Sequence, residues 1–239
     1  MPTRRDVLLA LAGAALGPAC RRDAAPSWPR TSVHEGIEFV ELFPRGADEK
    51  SPLVVAVHGR GDRPEAWVDS WRTFPARVQI ALPRAFSPFG DGWSWFDLRP
   101  GMTDAELGAA VGDAEARLWK GIARLAAGRR PIVTGFSQGG ILSFAMASRH
   151  PDEVAFAFPV GGSCPGPLLP SSERAAPLVA FHGTADRVLE VKWAREAVAA
   201  FRERGARAEL REYPGVGHAI PPRMRADLWA EIQRALAEP

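Results

Sequence analysis

The sequence predicts an α/β fold, a mostly parallel central sheet with helices on both faces. Three observations carry this. Short, continuously apolar runs such as LVVAV at Leu53–Val57 have the composition of strands covered on both sides. Between such runs, residues 104–127 and 190–204 repeat apolar side chains at three- and four-residue steps, the spacing of amphipathic helices. A third stretch, RPIVTGFSQGG at 130–140, passes from a β-rich segment through a glycine-flanked turn into a helical pattern, so strand, sharp turn and helix follow one another.

At 239 residues and 46% apolar content, the chain can bury one full core of the larger α/β kind. Its 30 basic and 28 acidic side chains nearly cancel, which gives no field to attract nucleic acid, and no nucleic-acid motif is present. The sequence has no internal repeat and no cofactor motif, and nothing in it asks for a metal. Its two cysteines, Cys20 and Cys164, have no zinc spacing and no disulfide framework.

Residues 1–19 form a segment of their own. MPTRRDVLLALAGAALGPAC has a basic start, an apolar run too short to span a bilayer, and small residues before a cysteine, as in an export signal. The pair Arg4-Arg5 resembles a twin-arginine signal, which makes the twin-arginine translocase a partner during export and places the mature protein in the periplasm or outside the cell. Cys20 is a candidate for lipidation and membrane anchoring, but Gly17-x-Ala19 also fits ordinary cleavage, and both outcomes stay open. Residues 20–32, with charges, Pro26 and Pro29, read as a tether. The folded domain is expected over 33–239.

Within that domain, residues 37–43 read as an edge strand and 53–57 as a central one, which ends in HGRGD at 58–62. Residues 66–74 read as helix and 78–82 as strand. The next segment, 86–101, contains five aromatics among glycines and prolines, too irregular for a strand and too broken for a helix. Its aromatics either form a satellite cluster over the core or line a substrate pocket; Trp93, Trp95 and Phe96 are the pocket candidates. After the 104–127 helix come the turn segment at 130–140, a strand at 154–160, a proline-rich loop at 161–176, a strand at 178–181, a helix at 190–204, a last strand at 208–213 and a final helix at 223–237.

The turn GFSQG at 135–139 has the G-x-S-x-G spacing of a nucleophile elbow. A serine there is pushed out of the sheet edge, while glycines two before and two after let strand and helix backbones approach. The competing reading is a serine that merely caps a helix. Two downstream matches favour catalysis: HGTAD at 182–186 and GVGH at 215–218 follow strands and complete the chain order Ser, Asp, His of α/β-hydrolases. Asp186 is preferred over Asp152, Glu173 and Glu190 because it follows a strand directly. His218 alone among the histidines follows that acid. His58 precedes the serine and closes a strand, so it is read as ordering its loop. The backbone N–H groups of Gln138 and Arg60 are the candidate oxyanion donors.

HGRGD, GWSWFDL, GFSQGG, HGTADRVL and GVGH together resemble the bacterial phospholipase/carboxylesterase family, which also contains acyl-protein thioesterases. The resemblance extends over about 53–237. It implies a lidless or lightly covered α/β-hydrolase fold acting on small-molecule esters or thioesters, without cofactor or metal. Ser137, Asp186 and His218 match the family's triad, and Arg60 with Gln138 match its oxyanion positions. The family is usually cytoplasmic, so an export signal departs from its pattern. Ester hydrolysis is the leading expectation, with a serine peptidase or polyester depolymerase, and a non-catalytic exported binding protein, as alternatives.

Overall fold

A computed structural model of the chain describes residues 29–171 and 174–238. The expected export signal, Cys20 and the tether up to residue 28 lie outside the described residues. Ten strands and five α-helices follow in chain order: β1 (Arg30–His34), β2 (Ile37–Leu42), β3 (Leu53–Val57), α1 (Val68–Trp71), β4 (Gln79–Pro83), β5 (Ser87–Phe89), β6 (Gly92–Ser94), α2 (Asp104–Ala126), β7 (Ile132–Phe136), α3 (Gln138–Arg149), β8 (Phe156–Val160), β9 (Leu178–Gly183), α4 (Val191–Glu203), β10 (Ala208–Tyr213) and α5 (Pro222–Ala237). Eight of the strands form one sheet in the order β1-β2-β4-β3-β7-β8-β9-β10. β1 and β2 enter antiparallel, and every pair from β4 to β10 is parallel.

The apolar strands are buried on both faces because their alternate side chains serve two cores. On β3, Leu53, Val55 and Val57 pack with α2, α3 and α4, while Val54 and Ala56 pack with α1 and α5. The same alternation divides β9, where Leu178 and Ala180 face the first core and Val179 and Phe181 the second. A two-sided core explains why these segments read as unbroken apolar runs. α2 starts on a capping box: Thr103 Oγ1 accepts from the Glu106 N–H at 3.2 Å, and Glu106 Oε2 accepts from the Thr103 N–H at 2.8 Å.

Four expectations change. The folded part already includes Arg30, inside the expected tether, because β1 pairs with β2 along its whole length. Consequently β2 is not the edge; it lies between β1 and β4. The helix expected at 66–74 is a 3-10 turn at Pro64–Trp67 followed by the single helical turn α1. The 86–101 segment contains a hairpin, β5–β6, in which Phe89 pairs with Gly92 around a two-residue loop. Gly90, at φ 57°, supplies the left-handed conformation that such a loop needs.

Candidate active site

The three candidate triad residues leave the carboxyl ends of β7, β9 and β10, the sheet edge where open α/β folds gather ligands. Ser137 sits between β7 and α3 at φ 57°, ψ −115°, a conformation that L-residues rarely adopt, and its N–H donates to the Val160 carbonyl at 3.0 Å. The flanking glycines are required by contact. A Cβ on Gly135 would lie 2.5 Å from the Gly139 backbone, and one on Gly139 would overlap the Val57 carbonyl. Strand and helix therefore cross at van der Waals distance, and the serine is the residue thrust outward.

His218 bridges the other two. Its Nε2 is 2.9 Å from Ser137 Oγ, and its Nδ1 is 2.7 Å from Asp186 Oδ2. Phe136 packs on the imidazole with ring centres 4.7 Å apart. Asp186 is held on both oxygens: the N–H groups of Val188 and Leu189 donate to Oδ1 at 2.9 and 3.0 Å. Burial pushes the Asp186 carboxyl upward, but the bonds from His218, Leu189 and Val188 outweigh it and hold the group below its usual 3.8. His182, fully buried, lies beside the same carboxylate and bonds the Leu189 carbonyl at 2.7 Å, bracing the acid loop. That support was not legible from the sequence, where His182 reads only as the end of a strand.

The competing acids stand elsewhere. Asp152 is an exposed ion-pair partner of Arg174, Glu190 pairs with Lys192, and Glu173 lies outside the described residues. His58 orders its loop as expected. It accepts the Ala85 N–H on Nε2 at 3.3 Å, which leaves Nδ1 to donate to the Gly59 carbonyl at 2.7 Å, and burial holds its pKa down. The loop it braces reaches the serine, since a Cβ on Gly59 would lie 3.3 Å from Ser137 Cβ. Next in that loop, the Arg60 guanidinium lies 3.9 Å over the Phe89 ring.

The aromatic segment has a different role from the expected pocket lining. Trp95 and Phe96 are 3% and 7% exposed, in the core beneath the loops. The Trp95 indole donates to the His58 carbonyl at 2.8 Å. Trp93, half-buried under Arg84, exchanges backbone bonds with the HGRGD loop: Gly61 N–H to the Trp93 carbonyl at 2.8 Å and Trp93 N–H to the Asp62 carbonyl at 3.0 Å. The buried Gln138 side chain completes the brace, accepting from the Trp95 N–H at 3.0 Å and donating to the Phe96 carbonyl at 2.8 Å. The strip thus fastens the HGRGD loop to the elbow helix. A cleft of about 810 Å³ does open beside Arg60, but Leu98, Met102, Leu107, Leu169, Val188, Leu189 and Trp193 supply its apolar lining, and none of the three expected aromatics does.

With this geometry in view, residues 41–235 match the phospholipase/carboxylesterase family. The chain belongs to that family. It is 33% identical over 104 residues to a probable carboxylesterase of Oryza sativa subsp. japonica, an alignment covering 40% of this chain and 44% of the relative. To carboxylesterase SOBER1 of Arabidopsis thaliana it is 27% identical over 139 residues, covering 53% and 61%. The chain therefore spans about half the length of these curated relatives. Among solved structures, esterase PE8 superposes with a TM-score of 0.73 at 24% identity, covering 82% of this chain and 97% of that one. The family member has the α/β-hydrolase fold.

Proposed function

We propose that this family member is a serine esterase that hydrolyses carboxylic esters, thioesters among them, through an acyl-enzyme on Ser137. The observation that carries the reading is the single imidazole bonded to Ser137 Oγ on one nitrogen and to Asp186 on the other. In this arrangement His218 Nε2 takes the hydroxyl proton as Oγ attacks the ester carbonyl, then returns it to the leaving alcohol or thiol. Water, activated by the same nitrogen, hydrolyses the acyl-enzyme. Asp186 fixes the tautomer by accepting from Nδ1–H and stabilises the imidazolium while it lasts. The tetrahedral oxyanion is assigned to the backbone N–H groups of Gln138, the first residue of α3, and of Arg60. The acyl group is assigned to the cleft beside Arg60, whose apolar lining suits a chain of modest length.

The test is a fluorophosphonate probe followed by a substrate panel. Labelling at Ser137, together with turnover of short p-nitrophenyl esters well above that of aminoacyl amides, is the expected result. A folded protein that does not label would instead be a binding protein on the same fold, and amide turnover equal to ester turnover would make it a peptidase.

Export through the twin-arginine translocase, with Cys20 either lipidated or left unmodified after ordinary cleavage behind Ala19, is the location proposed from the first twenty residues. Changing Arg4 and Arg5 together to Lys tests it, since that receptor reads the pair itself and not its charge. Continued export of the double variant would assign the ordinary route, and mass spectrometry of the mature terminus finds or misses a lipid on Cys20.

A further inference from the structure

On the other face of the sheet from the acyl cleft, three indoles converge from separate elements: Trp67 on the 3-10 turn, Trp71 on α1 and Trp229 on α5. Trp71 and Trp229 lie with ring centres 6.2 Å apart. With Phe136 they line a solvent-open cavity of about 250 Å³ whose floor is the ends of β7 and β8. The ester chemistry above places no part of the substrate in it, since its lining packs with the α1 and α5 side of the sheet, away from the cleft beside Arg60. A cavity of about 150 Å³ walled by apolar side chains suffices for benzene, so this one has room for a ring with a short substituent.

The walls define the ligand further. Aromatic faces favour another aromatic ring, in offset or edge-on contact. At the rim, Ala66 and Arg225 are exposed, so the space is reached from solvent between the 3-10 turn and the start of α5. Asp62, also at the rim, has its two oxygens engaged by the Arg63 N–H at 2.8 Å and the Trp67 indole N–H at 2.7 Å. Arg225 lies over Trp229 at 5.8 Å and forms no ion pair among the described residues. The rim group with donors to spare is therefore a cation.

We propose that this cavity binds a small aromatic carboxylate, with its ring among Trp67, Trp71, Trp229 and Phe136 and its carboxylate toward Arg225. Phe136 gives the site a consequence. Phe136 lines the cavity, and its ring also packs on the His218 imidazole at 4.7 Å. A bound ligand presses on the residue that seats the proposed base, without entering the acyl cleft. Occupancy changes kcat and leaves KM for esters in place; this coupling rests on the esterase reading, whereas the binding does not.

Benzoate titrated into the full chain by calorimetry tests binding apart from catalysis, with Ser137→Ala run beside the unaltered protein. Saturable, submillimolar, one-to-one binding of equal strength in both is expected. Arg225→Gln should weaken benzoate at least tenfold and leave benzyl alcohol unchanged, and Ala66→Phe, which plugs the rim, should abolish both. Benzoate binding that ignores both substitutions, or that is lost once a long-chain phosphonate occupies Ser137, would overturn the proposal; so would tighter binding of benzylammonium than of benzoate. If benzoate binds as expected while no ester is turned over, the site stands and the esterase reading alone fails.

Discussion

Gln138 holds Trp95 by its backbone: the Trp95 N–H donates to Gln138 Oε1 at 3.0 Å, while Gln138 Nε2 reaches the next carbonyl, that of Phe96, at 2.8 Å. One residue therefore offers its own N–H to the proposed oxyanion and uses its side chain to fasten the segment that braces the other donor loop. Gln138→Ala keeps the first contribution and removes the second. Leaving a buried donor or acceptor without a partner costs about 1–3 kcal/mol for each group. The variant should melt well below the parent and lose ester turnover partly, whereas Ser137→Ala should melt with the parent and lose turnover almost wholly. Thermal melts and steady-state kinetics on the two variants decide it, and a Gln138→Ala protein with parental melting would show that the brace does not depend on this side chain.

Asp186→Asn retains size but presents a donor where His218 needs an acceptor, so the imidazole takes the wrong tautomer. By analogy with the serine proteases the loss in kcat should be about 10⁴-fold. Asp152→Asn is the control, since that carboxylate is exposed and paired with Arg174, and it should change nothing. Comparable losses at both positions would leave the acid unassigned.

The depressed Asp186 carboxyl also makes a stability prediction. Its folded value lies below the unfolded one, so the stabilisation is fully present above the usual 3.8 and is lost as pH falls through the lower folded value. Denaturant melts taken on either side of that window should show the unaltered protein losing stability toward acid more steeply than Asp186→Asn. Equal slopes would mean that the carboxylate is no better held folded than unfolded.

Trp95→Ala should behave as a core truncation, costing about 3–5 kcal/mol of stability and depressing turnover of short and long acyl esters alike. Chain-length preference belongs to the cleft. Filling it with Leu169→Trp should lower kcat/KM for a longer acyl ester against a short one by tenfold or more, with phosphonate labelling of Ser137 retained. A Trp95→Ala protein of parental stability with altered chain-length preference would reverse this division.

The sheet centre was legible because burial on both faces leaves no polar residue in strands such as 53–57, and the candidate triad because its members follow strands in the order Ser, Asp, His, although β10 ahead of His218 is polar and partly exposed. What escaped is instructive in physical terms. β1 was hidden by charge and proline around it, since an outermost strand needs only alternating burial and tolerates Arg30 and Ser32. The β5–β6 hairpin carries a Gly-Asp loop signal, but Pro88 argued against a strand; in a two-stranded ribbon only one side needs donors, so the proline fits. The fate of Trp93, Trp95 and Phe96 depended on contacts with Gln138 and His58, which lie about forty residues away and have no local signature. His182 was likewise invisible as a support, because nothing in HGTAD distinguishes a strand-ending histidine from one turned onto the acid.

Ser137 and His218 are seated on strands of unequal support. The serine rises from β7, which is flanked by β3 and β8 in the middle of the sheet, whereas the histidine follows β10, which among the described residues is the outermost strand on that side and pairs with β9 alone. Edge strands exchange and fray at lower free energy than central ones. On heating or in mild denaturant the proposed base is therefore expected to detach while the nucleophile is still seated, so that ester turnover fades before the core signal changes. The lifetime of the proposed activity should accordingly depend on the β9–β10 seam, and that seam, not the apolar centre, is where stabilising substitutions belong.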